Sequence, residues 1–294
     1  MTKLYIIGNG FDLWHELPTS YDLFYEFAKS TLDELESYFC IDITQSGPWC
    51  DFENCLGTFN WKLFYDAHDY TDVTAESFRP SESFGLVDDL IEQADHLVCA
   101  IKECFHAWIE EIDVALAKKK MTAFYNNDLF LTFNYTSTLE LVYGVNSDKI
   151  VHIHGRSDAF DDLIFGHRKT MTENPELDEN GNSNRTMFSD AESAAKLPFY
   201  AFQKPVDKVI AKNSSFFQSL SGISTVSVIG HSLNEIDLPY FKAVARNAKS
   251  AKWVIYFHKP EDEDYHIEQL LKCGVQRGKI AICTYSELQA AKYL

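Results

Sequence analysis

The chain has little of several features that would announce a function class. It has no run of about 18 or more apolar residues, so no helix of it is expected to cross a bilayer. Its seven cysteines are an odd number with no CxxC pair. That pattern argues against a disulfide framework and a structural zinc site, and reduced, mostly buried thiols are expected. Basic residues are scarce, with 26 Lys and Arg against 44 Asp and Glu and a formal net charge of −18. A surface of that sign repels phosphate backbones and anionic lipid, so neither nucleic acid nor a membrane is expected as a partner. No basic stretch precedes the apolar run Leu4–Ile7, which suits a strand and not a secretion signal; a cytoplasmic protein is the expectation.

What is present is enough for a full core: 294 residues, 46% hydrophobic and 14% aromatic. The length suits about two domains, or one α/β domain carrying an insertion. Short apolar runs recur at Leu4–Ile7, Leu129–Phe133, Ile150–Ile153, Leu163–Phe165, Val226–Ile229, Trp253–Phe257 and Ile280–Cys283. Continuous runs of this kind suit strands covered on both faces. Helical stretches follow several of them, at Thr136–Val145, Leu238–Ala248 and Pro260–Cys273. Strand followed by helix, repeated, predicts a Rossmann-like, doubly wound, mainly parallel α/β sheet.

Residues 19–120 break that rhythm. Thr19 is placed to cap a helix with Leu23, Phe24, Phe27 and Leu32 near helical spacing, and a longer stripe runs from about Ser83 through Leu86, Leu90, Leu97, Ile101, Phe105 and Ile112. Lys118–Lys120 would suit the C-terminus of that helix. The expected organisation is therefore a nucleotide-binding α/β domain from 1–18 and 121–294, a helical insertion over 19–120, and a polar loop or lid over 168–197.

Four strand ends carry candidate chemistry. Gly8-Asn9-Gly10-Phe11-Asp12 follows the first run; its glycines permit a tight turn and close approach of backbone to a phosphate, or simply a strand-to-helix turn. Thr132-Phe133-Asn134-Tyr135-Thr136 ends the second, where Asn134 can hold a ribose hydroxyl or a water, or cap the next helix. In His152-Ile153-His154-Gly155, period-2 geometry puts both imidazoles on one face, with His154 nearer the crevice as a candidate base and Gly155 leaving room for a ligand. A metal held by this pair with His167 or His231 lacks an acidic residue at a familiar spacing, so no metal is expected. Gly230-His231-Ser232 invites comparison with a nucleophile elbow, but Asn234 stands where that motif needs glycine. A strand end presenting Gly230, Ser232 and Asp237 to the same crevice fits better.

Laid end to end, these segments resemble the bacteriophage abortive-infection AbiH family. The residues that carry the resemblance are Ile6–Leu13 with His15, Leu17-Pro18-Thr19 and Tyr21, then Thr132–Thr136, His152–Gly155, Ile229–Ser232 and Asp237, and they span nearly the whole chain. The same order is similar to a distant sirtuin-like NAD-binding fold, in which Asn134 matches an Asn at the nicotinamide ribose and His154 the His of a His-Gly strand end. Thr136 replaces the Asp usual two positions after that Asn, and no four-cysteine module is present, which removes the expectation of protein deacylation.

The resemblance implies a phage-defence protein that hydrolyses NAD or a related nucleotide at the nicotinamide–ribose bond. Asn134 and His154 would be catalytic; Gly8, Asn9, Gly10, Phe11, Asp12, Gly155, Gly230, Ser232 and Asp237 would bind the nucleotide. NAD would be substrate or ligand. Two alternatives stay open, a nucleotide sensor without turnover and a toxin acting on nucleic acid. A phage-derived trigger or partner protein, and assembly as a homo-oligomer, also remain open.

Overall fold

The computed structural model describes residues 2–41, 48–118, 120–121, 124–173, 175–257 and 260–290. Six strands form one sheet: β1 (Lys3–Ile7), β2 (Leu129–Thr132), β3 (Ile150–His152), β4 (Thr225–Ile229), β5 (Lys252–Phe257) and β6 (Ile280–Thr284). All neighbours are parallel, in the order β3-β2-β1-β4-β5-β6. This is the doubly wound Rossmann-like arrangement. The order reverses direction at β1 and β4, whose carboxyl ends form the crevice in which ligands of such sheets bind.

Alternation along β1 shows why both sheet faces are covered. Leu4 and Ile6 enter a core with Val226, Val228, Tyr240 and Phe241, while Tyr5 and Ile7 enter another with Phe11, Phe130 and Leu139. Burying apolar chains on both faces is what holds a parallel sheet, at roughly 25 cal/mol per Å² of apolar surface.

In chain order the helices are α1 (Asn9–Trp14), α2 (Tyr21–Leu35), α3 (Phe52–Leu56), α4 (Trp61–His68), α5 (Glu82–Glu110), α6 (Thr138–Tyr143), α7 (Ser189–Ala195), α8 (Leu197–Ala201), α9 (Val206–Lys212), α10 (Ser214–Ser219), α11 (Leu238–Asn247), α12 (Glu263–Lys272) and α13 (Tyr285–Ala290). The chain divides into two units. The first holds the sheet and comprises 1–20, 109–164 and 205–294; the second comprises 21–108 and 165–204.

The second unit is helical and has an aromatic centre. Phe24, Phe52, Phe105 and Phe165 are buried there, with Phe52 and Phe105 stacked at 5.8 Å between ring centres. The stripe expected on α5 is inside, with Leu86, Leu90, Leu97, Ile101 and Phe105 all buried. Lys204 and Glu53 form a buried ion pair at 2.8 Å.

Several sequence expectations need correction. Leu163–Phe165 is not a strand: the chain folds back so that Ile164 N–H donates to His154 O at 2.8 Å and Tyr135 Oη donates to Ile164 O at 3.0 Å. The 168–197 stretch, expected as a polar loop or lid, contains α7 and belongs to the second unit. Helix α5 stops at Glu110, so the lysines of 118–120 do not cap it. Lys118 and Lys120 pair with Glu16 instead, and Lys119 lies outside the described residues. The thiols are not mostly buried either: Cys40 and Cys99 are exposed and Cys273 is the buried one. No helix among the described residues is long and apolar enough to cross a membrane.

Candidate functional site

The site lies at the carboxyl ends of β1, β2, β3 and β4, and its frame is a crossing of two loops. Gly8 N–H donates to Ile229 O at 3.0 Å, Gly10 N–H to Gly230 O at 2.8 Å and Phe11 N–H to Gly8 O at 2.9 Å. A methyl group on Gly10 would sit 2.9 Å from Gly230 Cα, and one on Gly230, whose φ is +69°, would sit 2.1 Å from Phe11 N. The glycines are therefore required by backbone running against backbone. The loop after β1 and the loop after β4 are locked together here. This bears on the pyrophosphate cradle expected of Gly8–Asp12, because three of the amides from Gly8 to Phe11 already donate to carbonyls. The Asn9 side chain is also committed, donating to Thr19 O at 2.6 Å.

Asp12, on the inward side of α1, is 1% exposed. Its carboxylate accepts from Thr136 Oγ1 at 2.5 Å and from Thr138 Oγ1 at 2.8 Å. Burial pushes its pKa up to about 6, against the lowering effect of those hydroxyls and of the Asn134 side chain. The neighbouring Asn134 is held by its own N–H on Thr132 Oγ1 at 3.1 Å. Its Oδ1 is buried and accepts no hydrogen bond among the described residues. A buried amide oxygen without a donor is costly, at about 1–3 kcal/mol, and is the mark of a place for a ligand hydroxyl or a water.

A second cluster lies toward α11. His231 Nδ1 accepts the Leu233 N–H at 2.9 Å, so the neutral ring carries its proton on Nε2. That Nε2 lies 3.5 Å from Asp237 Oδ2, and His154 Nε2 lies 3.6 Å from Asp237 Oδ1. One carboxylate thus stands between two imidazoles. Asp237 occupies the N-cap position of α11, yet its side chain makes no cap hydrogen bond. It forgoes about 1 kcal/mol of capping to face the histidines, while still lying at the positive end of the helix dipole. Phe133 packs its ring against both, at 5.1 Å from His154 and 4.4 Å from His231, and Tyr240 closes the far side of His154 at 5.7 Å.

His152 and His154 do not share a face as period-2 geometry predicts. The β3 ladder ends at His152, and Gly155 at φ +84° turns the chain back. His152 faces α6, with Nε2 3.0 Å from Glu140 Oε1, and Arg156 donates to the same oxygen at 2.8 Å. Burial opposes ionisation of Glu140, but His152 and Arg156 together hold it below the usual carboxylate range. His154 is buried and His152 half-buried.

The remaining site candidates separate by exposure. Phe11 is buried within α1, Gly155 makes the turn, Ser232 is exposed, and Asn9 is exposed at the start of α1. Sequence reasoning missed Thr136 and Thr138 as partners of Asp12, His231 as the partner of Asp237, and the Glu140–Arg156 pair. A carboxylate embedded in the apolar turn Phe11-Asp12-Leu13-Trp14 was the available signal for the first. Among the described residues, no group of three or more His, Cys, Asp or Glu is arranged to hold a metal ion.

The family model described as Bacteriophage abortive infection AbiH covers residues 4–257, and the chain belongs to that family. No curated protein and no solved structure matches it.

Proposed function

We propose that this abortive-infection protein acts by hydrolysing the bond between nicotinamide and ribose in NAD or a closely related nucleotide, at the carboxyl edge of its parallel sheet. The observation that carries the reading is Asn134: a buried amide with an unfilled acceptor, set beside the Asp12 carboxylate at the end of β2 and next to the switch point. A ribose hydroxyl is the donor that fits such an acceptor.

The chemistry asks for orientation and charge. As the C1′–N bond breaks, its electron pair passes to the nicotinamide ring and positive charge gathers on the sugar. Asn134 Oδ1 holds a ribose hydroxyl, and ionised Asp12 stabilises the cationic sugar through space. Water then bonds to C1′, and its proton passes to His154, whose ring is oriented by Asp237. The engaged amides of the first loop fit a role in shaping the crevice. Asp12, with its pKa near 6, must be ionised for this, so turnover falls as pH drops below about 6.

The test is release of free nicotinamide from NAD by the purified protein and by folded Asn134→Ala and His154→Ala variants. Loss of an oriented acid–base group costs roughly 10²–10⁴-fold in rate. Binding of NAD without nicotinamide release would replace this reading with that of a nucleotide sensor.

A further inference from the structure

At the opposite edge of the same sheet the charge pattern inverts. Residues 245–253 and 272–281 contain six Lys or Arg and no Asp or Glu, in a chain whose net charge is −18. The two loops that enter β5 and β6 from α11 and α12 belong to these stretches, and between them is a cavity of about 260 Å³. Trp253, Val275 and Ala245 supply its apolar wall; Lys249, Lys279 and Gln276 supply its polar groups, and no acidic residue lines it.

Lysines often sit near helix C-termini to offset the dipole. Here the end of α12 is closed without them. Cys273 N–H donates to Gln269 O at 3.1 Å, Gly274 N–H to Leu271 O at 2.9 Å and Val275 N–H to Leu270 O at 3.1 Å. Lys279 Nζ donates once, to the backbone carbonyl of Lys249 at 2.6 Å, which ties the two loops together and leaves two of its protons for other acceptors. Lys249 enters no ion pair among the described residues. Two lysines and an amide lining one cavity with an apolar floor suit a compact anion attached to a small organic body. Drug-sized ligands take about 300 Å³ or more, so this cavity suits something smaller. Lysine, a point charge with rotatable donors, suits a tetrahedral phosphate better than a planar carboxylate fork.

We propose that this cavity is a binding site for the phosphate group of a small phosphorylated molecule, no larger than a mononucleotide, remote from the carboxyl-edge site. The inference stands on its own residues and does not depend on NAD hydrolysis. The phosphate could come from a free phosphorylated metabolite or from the end of an oligonucleotide, and the experiment separates the two.

Titration calorimetry of the full chain with inorganic phosphate, ribose 5-phosphate and a 5′-phosphorylated single-stranded oligonucleotide tests it. Ribose 5-phosphate is expected to bind with a Kd at or below about 1 mM. A Lys249→Ala/Lys279→Ala variant should weaken it at least about tenfold. Ala245→Phe, which fills the cavity and leaves its charge unchanged, should weaken ribose 5-phosphate more than inorganic phosphate. Absence of binding by either small probe, or binding that survives the double substitution, overturns the proposal. So does an oligonucleotide that binds with a steep salt dependence while both small probes fail, because the basic edge would then be a nucleic-acid contact and not a pocket.

Discussion

The Nε2 atom of His231 lies 3.5 Å from Asp237 Oδ2 because the other ring nitrogen accepts the Leu233 N–H. That bond decides where the imidazole proton sits, and so which side of the ring meets the carboxylate. Leu233 itself is held at φ +55°, a conformation costing a non-glycine residue about 1–3 kcal/mol. The strain, the forgone helix cap and the two facing imidazoles meet at one carboxylate.

Asp237→Asn keeps the shape of the side chain and removes its charge. If Asp237 orients His154, nicotinamide release should fall by up to about 10⁴-fold, the contribution of the base itself, with a shifted pH profile and little change in thermal midpoint. An unchanged rate and profile would detach Asp237 from the chemistry.

Asp12 makes stability depend on pH in an unusual direction. Its folded-state pKa is raised to about 6, whereas in the unfolded chain it titrates near the ordinary carboxylate value. Between about pH 4 and pH 6 the folded state therefore binds more protons, and this group's contribution to stability declines as pH rises. The full difference is on the order of 3 kcal/mol. Urea unfolding at several pH values should show Asp12→Asn lacking that slope and at least as stable as the parent at pH 7.

Gly230→Ala should be among the most damaging small substitutions, because its methyl group would sit 2.1 Å from Phe11 N at φ +69°. Gly278→Ala is the control, with nothing within 4 Å of its added carbon. Chemical denaturation should place the first at about 3 kcal/mol or more of destabilisation and the second within about 0.5 kcal/mol of the parent. Comparable values for the two would mean that the loops do not cross as described.

Lys204→Met in the second unit leaves Glu53 as a buried charge that has lost its partner at 2.8 Å. Breaking a buried pair from one side costs about 3–5 kcal/mol. Glu53→Gln/Lys204→Met, measured by the same unfolding transition, should recover part of that loss.

The sequence by itself determined the strands and much of the helical pattern. The apolar runs that became β1, β2 and β4 are continuous because both faces of the parallel sheet are covered there, and the stripe on α5 repeats with the helical turn. Glycine at positions 8 and 10 was visible as a demand for close approach. What approached was not, because a missing side chain does not name its neighbour. Only the tertiary structure decided that the neighbour of Gly10 is Gly230 and that Thr136, 124 residues away, holds Asp12. It also decided that His152 and His154 part company. Period-2 alternation holds only while a ladder keeps the strand extended, and that ladder ends at His152. Beyond it, the left-handed turn at Gly155 and the packing of Phe133 and Tyr240 set where an imidazole points, and those contacts come from segments that only the folded sheet brings together.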